Sequence, residues 1–290
     1  MQMHIGPIAN HRQREEGGLV YPVYSRRSQG LSLGINLFPD RKRCSFDCPY
    51  CEVFPFKGDR PFSLPLMERQ LLSELSRIGE QGIAVKDICF SGNGEPSLSP
   101  LFFEALAAAA RIRDERVPDA ALVLITNGTG LRNGRTFRRL CRAATGPLAL
   151  HIWLKLDAGT EAWYRLMARS PVPFEGLIRT IKDFLACAPV TLQTMLCSIQ
   201  GKGPPPQEAA AWERLVVDLA GIQGAGKTGE PPPGIAALQL YGKARPAPTD
   251  PLTAALAPAY LEERAASLKA ALARSSVPLH KKNLPIQVFP

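Results

Sequence analysis

The stretch Cys44-Ser45-Phe46-Asp47-Cys48-Pro49-Tyr50-Cys51 places three thiols within eight residues. This spacing lets one loop wrap its sulfur atoms around a compact metal centre. Thiolates select zinc, copper(I) or iron–sulfur clusters over hard cations. A four-iron cluster takes four cysteines, one for each iron. Three cysteines from one loop, with no obvious fourth nearby, leave one iron open to a ligand from outside the protein.

Two other uses of the cysteines have to be weighed. An odd trio of close cysteines makes a poor disulfide framework, and nothing in the sequence suggests secretion. A structural zinc site needs a fourth ligand, and the four histidines form no pattern with the trio. The spacing therefore favours an iron–sulfur cluster over zinc, and a non-catalytic zinc-binding module stays as an alternative.

Composition predicts a cytoplasmic globular protein. The 290 residues suit one large domain or two small ones, with 45% hydrophobic and 21% charged residues. No apolar run reaches the roughly 18 residues of a membrane span. The polar N-terminus lacks the apolar core of a signal peptide. Seven cysteines without such a signal predict a reducing compartment and no membrane partner.

The chain is basic, with a net charge of +9 and a pI near 9.4. Such a charge suits a polyanionic substrate such as RNA or tRNA. The arginine run from Arg132 to Arg142, however, has helical spacing and is typical of a solvated helix face. Because no RNA-binding module signature is present, an RNA substrate is the alternative, not the first interpretation.

Apolar segments alternate with amphipathic ones along most of the chain. The predicted strands are 31–39, 85–92, 121–128, 148–157, 189–199 and 235–242. The predicted helices between and after them are 66–78, 100–115, 134–144, 161–168, 174–186 and 207–220. Strands that alternate with helices form right-handed βαβ units and a parallel sheet. Six units predict an α/β fold of the partial (β/α)6, TIM-like barrel type.

The chain divides into three predicted segments. Residues 1–30 show weak periodicity and are expected to be irregular, residues 31–245 form the barrel core, and residues 246–290 form a C-terminal extension. The extension is expected to hold a proline-rich linker, a helix at 260–274 and an apolar closing stretch at 284–289 that docks on the barrel. The stretch 221–228, GIQGAGKT, has the spacing of a phosphate-binding loop. It does not follow a strand, as that mechanism requires, so the match is taken as accidental.

The ends of the predicted strands carry polar residues, and chemistry in βα barrels collects at these ends. The second strand ends in Ser91-Gly92-Asn93-Gly94-Glu95-Pro96. Its glycines allow close backbone approach to a ligand, and Glu95 can accept from an ammonium, although an ordinary capped turn also fits. The third strand ends at Asn127, which lines the cavity or satisfies its own turn.

The fourth and fifth strands add three further candidates. Lys155 and Asp157 end the fourth strand and either face a ligand or form a simple ion pair. In the fifth strand the two-residue period places Gln193 and Thr194 on opposite faces, and Gln193 is expected to face inward. On the sixth strand, Gln239 and Tyr241 are similar candidates.

These motifs together resemble the radical S-adenosylmethionine (radical SAM) superfamily. The segments GINLFPDRKRCSFDCPYCEV (34–53), FSGNGEPSL (90–98), ITNG (125–128) and KLDAG (155–159) resemble one branch of it, the Fe–S oxidoreductases related to wyosine (tRNA imidazoguanosine) synthases. The resemblance covers roughly residues 20–250. Archaeal wyosine enzymes carry a second cluster on cysteines upstream of the trio, whereas this sequence has no cysteine before Cys44. The resemblance therefore implies a single-cluster enzyme with an unidentified substrate.

The resemblance also implies roles for the candidate residues. Cys44, Cys48 and Cys51 would bind a catalytic [4Fe–4S] cluster, and the amine and carboxylate of SAM would chelate the open iron. An electron from a low-potential donor such as flavodoxin or ferredoxin would cleave SAM to methionine and a 5′-deoxyadenosyl radical, which abstracts hydrogen from the substrate. Tyr50 would pack near adenine. The stretch Gly92–Glu95, with Asn93 in place of a glycine, would bind the amino group of SAM.

The remaining candidates have less specific roles. Asn127, Lys155, Asp157 and Gln193 are expected to contact SAM or substrate. Four cysteines outside the trio lie on apolar segments, where cysteine is usually a buried small hydrophobe. They are Cys89, Cys141, Cys187 and Cys197. Of these, Cys89 and Cys197, on the second and fifth strands, are the candidate partners in radical chemistry.

Overall fold

The computed structural model describes residues 18–53, 55–224, 233–247, 250 and 252–290, which hold nine strands and eight helices. The strands are Val20–Ser25 (β1), Gly30–Asn36 (β2), Val85–Gly92 (β3), Ala121–Thr126 (β4), His151–Lys155 (β5), Pro189–Ile199 (β6), Gly234–Gly242 (β7), Thr253–Ala255 (β8) and Ile286–Phe289 (β9). The helices are Leu64–Gly79 (α1), Phe102–Arg116 (α2), Gly134–Thr145 (α3), Glu161–Ala168 (α4), Phe174–Leu185 (α5), Pro206–Ala220 (α6), Pro258–Arg274 (α7) and Leu279–Lys282 (α8). No helix in these ranges is long and apolar enough to span a bilayer.

The chain forms two compact units, and both contribute residues of the cysteine stretch. The first unit comprises Met1–Cys44, Pro55–Ile125 and Leu148–Leu150, of which residues 1–17 lie outside the described part. The second comprises Ser45–Phe54, Thr126–Pro147 and His151–Pro290. Cys44 therefore ends a segment of the first unit, whereas Cys48 and Cys51 belong to the second.

The first unit is a sheet with helices α1 and α2. Strand β2 is antiparallel to β1 and parallel to β3, and β3 is parallel to β4. Helix α1 is capped by Ser63, whose side chain accepts from Leu66 N, and has proline in its first turn. The side chain of Gln70 on this helix accepts backbone hydrogen bonds from Leu19 and Val20 at 2.8 and 3.2 Å. These two hydrogen bonds attach helix α1 to the start of β1.

The second unit is a parallel sheet in the order β5-β6-β7-β9, and β8 pairs antiparallel with the far end of β6. Helices α5 and α6 bury apolar stripes, with Ile181, Phe184 and Val216 fully enclosed. Helix α4 begins at Thr160, whose hydroxyl accepts from Trp163 N. Six of the strands, β2 to β7, are those that the apolar segments predict.

Two predicted segments differ from the structure. Residues 20–25, expected to be irregular, form β1, because valine and tyrosine favour a strand and an edge strand tolerates Pro22. Residues 253–255, expected to lie in an extended linker, pair with Cys197–Ile199 as β8. The closing stretch pairs with β7 as β9. Residues 1–17 and 225–232 lie outside the described residues, and the second range includes part of the stretch 221–228 that has the spacing of a phosphate-binding loop. The division of the chain into three segments stays a prediction.

Candidate functional site

The cysteine loop is held in the second unit by the end of helix α4. The backbone N–H of Asp47 donates to Ala168 O at 2.7 Å. The hydroxyl of Ser170 donates to Ser45 O at 2.8 Å. Both contacts involve loop backbone, so the path of the loop is fixed independently of its cysteine side chains.

The segment that leads into β8 also binds the cysteine loop. The hydroxyl of Thr253, which is 3% exposed, donates to Pro49 O at 3.2 Å. The ammonium of Lys243 donates to the same hydroxyl at 3.0 Å and to the backbone carbonyl of Thr253. Arg245 forms an ion pair with Glu52 at 2.8 Å. The residues on either side of Tyr50 and Cys51 are therefore attached to this segment.

Tyr50 lies in a buried polar cluster at the end of β5. Its hydroxyl donates to Asp157, which also accepts from Met195 N at 2.8 Å. The ammonium of Lys155 lies 3.4 Å from Asp157 Oδ2, donates to Tyr241 Oη at 2.5 Å and sits 4.9 Å from the centre of the Tyr50 ring. Lys155 and Asp157 therefore form an ion pair, in which Asp157 also accepts from Tyr50 and Lys155 also donates to Tyr241.

Burial and charge set the protonation of this cluster. Burial and the Asp157 carboxylate raise the pKa of Tyr50 well above its ordinary value, so its phenol stays protonated and donates. Although burial opposes the charge of Lys155, Asp157 and Tyr241 outweigh it and hold the pKa of the ammonium above its ordinary value. Burial also raises the pKa of the Cys48 thiol, while the neighbouring Lys155 charge acts in the opposite direction.

The predicted SAM-binding turn lies in the first unit, directly beside the residue that precedes Cys44. Arg43 N donates to Asn93 O at 3.2 Å, and Glu95 N donates to Arg43 O at 2.8 Å. A Cβ on Gly94 would lie 1.9 Å from Arg43 O, so only glycine fits there. Asn93 adopts a left-handed φ of 44°, a conformation that asparagine tolerates better than most residues. The turn and the start of the cysteine stretch thus form one ladder.

The other residues of this turn have close neighbours. A Cβ on Gly92 would lie 2.9 Å from the Cβ of Asn36 on β2. Glu95 is 2% exposed, and its carboxylate accepts from Ser97 N at 3.1 Å and from Ser97 Oγ at 2.5 Å. The carboxylate predicted to accept from an ammonium thus also caps the following 3₁₀ turn, Pro96–Leu98.

Asn127 both shapes its own turn and contacts the cysteine loop. Its side-chain carbonyl accepts from Thr129 N at 3.0 Å and from Thr129 Oγ1 at 2.7 Å. Its amide donates to Ser45 Oγ at 3.1 Å. The side-chain carbonyl of Asn127 therefore stabilises its own turn, one of the two roles that the sequence predicted. Its amide group binds Ser45, the residue that follows Cys44.

Gln193 belongs to a row of polar side chains across the second sheet. Lys155, Gln193, Gln239 and Gln287 are register partners on β5, β6, β7 and β9. Gln193 is fully buried and donates to Gln239 at 2.6 Å, and Gln239 donates to Gln287 at 3.0 Å. Thr194, on the opposite face, accepts from the indole of Trp212 on α6. Gln193 therefore faces away from helix α6.

The three cysteines suit an iron–sulfur cluster by their chemistry. No disulfide joins the described cysteines, and Cys44 is exposed, Cys51 half-buried and Cys48 buried. Val53 N donates to Cys51 Sγ at 3.4 Å, the kind of amide–sulfur bond that tunes cluster potentials. Within the described ranges, no three His, Cys, Asp or Glu side chains converge closely enough to hold a single metal ion.

The two candidate radical-chemistry cysteines are enclosed. Burial and the nearby Asp87 raise the pKa of Cys89 to about 12. Burial and Asp157 raise the pKa of Cys197, on the strand edge that β8 covers, to about 12. Both are therefore neutral thiols at physiological pH, as expected for buried small side chains.

Sequence reasoning missed several residues that hold the site. Thr253 contacts the cysteine loop, Lys243 donates to Thr253, and Ser45, within the loop, accepts from Asn127. Glu208 on α6 accepts from Gly159 N and from Thr160 Oγ1 at 2.5 Å each, and so holds the turn that follows Asp157. Lys243 lies 10 residues from Thr253, but the other partners lie 48 to 204 residues apart in the chain, so no local pattern marks them.

The sequence matches the radical SAM superfamily over residues 41–197. This range covers more than half of the chain and includes the cysteine trio, the Gly92–Glu95 turn, the ends of β4 and β5 and most of β6. The chain therefore belongs to the radical SAM superfamily. The prediction of an enzyme of this class is confirmed, and membership implies SAM and a [4Fe–4S] cluster as cofactors.

Curated relatives are similar over part of their length. A UPF0026 protein of Synechocystis sp. is 30% identical over 159 residues, 54% of this chain and 53% of that protein. A UPF0026 protein of Helicobacter pylori is 31% identical over 86 residues, 29% of this chain and 28% of that protein. The matches thus span about half of the first relative and less of the second.

Solved structures of low sequence identity share the fold. A radical SAM methyltransferase from Sphaerobacter thermophilus has a TM-score of 0.60 at 15% identity and covers 99% of this chain and 82% of that one. SuiB of Streptococcus suis, bound to S-adenosylmethionine, has a TM-score of 0.60 at 12% identity and covers 87% of this chain and 49% of that one. The predicted α/β class, a partial barrel of the radical SAM type, is confirmed.

Proposed function

We propose that Cys44, Cys48 and Cys51 bind a [4Fe–4S] cluster, that SAM binds its open iron, and that the enzyme initiates radical chemistry on a substrate in the same site. The attachment of the cysteine loop to the end of β5 through Tyr50 and Asp157 carries the proposal. Strand ends are where βα folds place their chemistry. The bound cluster would supply one electron that splits SAM into methionine and a 5′-deoxyadenosyl radical, which takes a hydrogen atom from the substrate.

The Gly92–Glu95 turn would bind the methionine end of SAM. Gly94 has room only for a hydrogen atom, so the turn packs closely against the backbone of Arg43. Arg43 pairs with Asn93 and Glu95 through its backbone. This pairing orients the turn relative to the residue that immediately precedes the first cysteine.

The Tyr50 cluster would bind the polar groups of SAM or substrate. Lys155 stays charged and Asp157 already holds Tyr50 and Met195 N, so both side chains are fixed before a ligand arrives. A fixed ammonium attracts a carboxylate or a ribose oxygen without the cost of ordering a flexible side chain. The ring of Tyr50, turned toward Lys155, would flank the adenine.

Reconstitution under anaerobic conditions tests the proposal. About four irons per chain and an EPR spectrum of the reduced protein that changes on SAM addition are expected. Alanine at Cys44, Cys48 or Cys51 should abolish cluster assembly, whereas Cys187→Ala, which removes an exposed thiol, should not. Zinc without iron, or a cluster indifferent to SAM, would contradict the proposal and favour the zinc-binding alternative.

The electron must come from a partner of low potential. The proposal therefore includes a flavodoxin or ferredoxin as donor. Titration of the reconstituted protein with reduced flavodoxin should yield 5′-deoxyadenosine when SAM is present, and omission of the flavodoxin should not.

A second candidate function, modification of RNA, is favoured by helix α3. Arg135, Arg138 and Arg142 are exposed on one face, and no ion pair involves them among the described residues. Arginine binds phosphate oxygens in a bidentate manner. Glutamate at these three positions should abolish salt-dependent binding of tRNA. Alanine at Arg165 and Arg179, exposed arginines that are ion-paired with Glu161 and Glu175, should leave it unchanged.

A further inference from the structure

Two cysteines outside the trio come together in the folded second unit. Cys141 lies on α3 and Cys187 just after α5, and the Cys187 thiol is near enough to raise the pKa of the Cys141 thiol. Both are reduced; Cys187 is exposed and Cys141 is half-buried. The sequence separates them by 46 positions and gives no local sign of the contact.

The packing of the two helices explains the contact. The rings of Phe137 and Phe184 meet edge to face, with centroids 5.4 Å apart and an angle of 86°. Phe137 precedes Cys141 by four residues, so the two share a face of α3. Cys187 follows Phe184 by three residues in a turn closed by Cys187 N to Phe184 O at 2.9 Å. The aromatic contact therefore fixes both thiols one helical turn further along.

We propose that Cys141 and Cys187 form a redox-active dithiol that a small-molecule disulfide, such as glutathione disulfide, converts into an intramolecular disulfide. The site uses no residue of the cysteine trio, so it does not depend on the proposed function. Two thiols near a surface, held within reach of each other, meet the first requirement for such a bond.

The exchange proceeds in two balanced steps. The Cys187 thiolate attacks one sulfur of glutathione disulfide; a mixed disulfide forms and one glutathione leaves as thiolate. Cys141 then gives its proton to solvent and attacks the Cys187 sulfur, which releases the second glutathione. Two protein thiols are oxidised and one small-molecule disulfide is reduced to two thiols.

The order of attack follows from exposure and charge. Cys187 is exposed and meets the reagent first. Burial and the neighbouring Cys187 thiol raise the pKa of Cys141 to about 12. Exposed Cys187 is therefore the entry thiol and Cys141 the resolving thiol.

Peptide mapping after equilibration in glutathione redox buffers tests the proposal. The full-length protein is incubated anaerobically, quenched with acid, alkylated with N-ethylmaleimide and digested with trypsin. A linked pair of peptides 140–142 and 183–202 is expected, about 2 Da lighter than the sum of reduced peptide 140–142 and peptide 183–202 alkylated only at Cys197. Because 183–202 also contains Cys197, fragmentation must place the bond on Cys187.

Two variants identify the roles of the thiols. The Cys141→Ser variant should accumulate glutathione on Cys187. The Cys187→Ser variant should carry no glutathione on Cys141, which is then alkylated by N-ethylmaleimide. Buried Cys89 and Cys197 serve as internal controls and should stay reduced. The Cys44→Ala/Cys48→Ala/Cys51→Ala variant should form the same bond, which separates the result from any cluster. A wild-type chain that keeps glutathione on Cys187 with Cys141 alkylated, or that links Cys187 to Cys197, overturns the proposal.

Discussion

The hydroxyl of Tyr50 donates to the carboxylate of Asp157, 107 residues further along the chain. Asp157 also accepts from Met195 N and pairs with Lys155. One carboxylate therefore joins the cysteine loop, the end of β5 and the middle of β6. Because a hydrogen bond to an ionised acceptor is about twice as strong as a neutral one, the loop position depends on the charge of Asp157.

Removal of this carboxylate should destabilise the protein strongly. Asp157 and Lys155 are only 7% and 15% exposed, so Asp157→Ala leaves a buried ammonium without its partner. A loss of about 3–5 kcal/mol in the free energy of unfolding is expected, measured by urea denaturation. Glu175→Ala, which breaks an ion pair whose side chains are 87% and 73% exposed, is the control and should cost under about 1 kcal/mol.

A double variant separates charge from packing. Lys155→Met/Asp157→Leu removes both charges, so no unpaired ammonium is left, and it should be more stable than Asp157→Ala alone. Equal or lower stability of the double variant would mean that the hydrogen bonds to Tyr50 and Met195, not the buried charge, account for the loss.

Removal of the Thr253 hydroxyl should loosen the cysteine loop. Thr253→Val keeps the shape of the side chain but loses the hydroxyl that is shared between Pro49 O and Asp250 O and that accepts from Lys243. A hydrogen bond of about 0.5–1.5 kcal/mol corresponds to a roughly two- to tenfold faster release of iron to a chelator. The decay of the visible absorbance of the reconstituted cluster measures this rate.

Thr180→Val is the matched control for this experiment. Its hydroxyl also donates to a backbone carbonyl, Gly176 O at 2.9 Å, but it lies on helix α5 and contacts no part of the cysteine loop. Iron release from this variant should match that of the wild type. Equal release from Thr253→Val and Thr180→Val would show that the segment leading into β8 does not hold the loop.

Local pattern predicts most of the fold because it depends on neighbours in sequence. Strands β2 to β7 each lie in an apolar-rich segment, and helices α1, α4 and α5 begin within two residues of their predicted starts. Strand β8 could not be predicted. Its three residues, Thr253, Ala254 and Ala255, carry no strand signal, and they find a partner only in the end of β6 beyond its pairing with β7.

The candidate site divides in the same way. The cysteine trio and Gly92–Glu95 have sequence signatures, because one loop or one turn supplies all of their atoms. Glu208, Lys243 and Thr253 have none, because each acts on a backbone segment brought near by folding. The hydrogen bond from Tyr50 to Asp157 likewise forms only when folding brings the cysteine loop to the end of β5, 107 residues away in the chain.

A methyl group at Gly94 should disrupt the first unit. The new Cβ would lie 1.9 Å from Arg43 O, a backbone atom that cannot rotate away. Overpacking of this kind costs about 1–3 kcal/mol, so Gly94→Ala should lower the urea midpoint and weaken SAM binding by the reconstituted protein. Gly79→Ala, where nothing lies within 4 Å, should be neutral or stabilising by up to about 1 kcal/mol. Full stability of Gly94→Ala would contradict the tight ladder of Arg43 and Gly94.

The titration of Glu208 should make stability fall as pH rises above the acidic range. Burial raises the pKa of Glu208 above its ordinary 4.5, although bonds from Thr160 and Gly159 act in the opposite direction. A carboxyl with a higher pKa in the folded state binds protons more tightly there. Its stabilising contribution is therefore complete below pH 4.5 and is lost as the pH rises through the folded-state pKa. The neighbouring phenol of Tyr260, with a raised pKa, stays neutral throughout.

Glu208→Gln removes this titration. The free energy of unfolding of the wild type relative to the variant should fall as the pH rises above 4.5 and through the folded-state pKa, by about 1.4 kcal/mol for each unit by which the pKa is raised. Urea denaturation at a series of pH values measures the difference. The exposed carboxyl of Glu104 on α2 provides the control, since Glu104→Gln should show no such slope. A difference that is constant with pH, or that grows in favour of the wild type, would mean that the bonds to Gly159 and Thr160 outweigh burial.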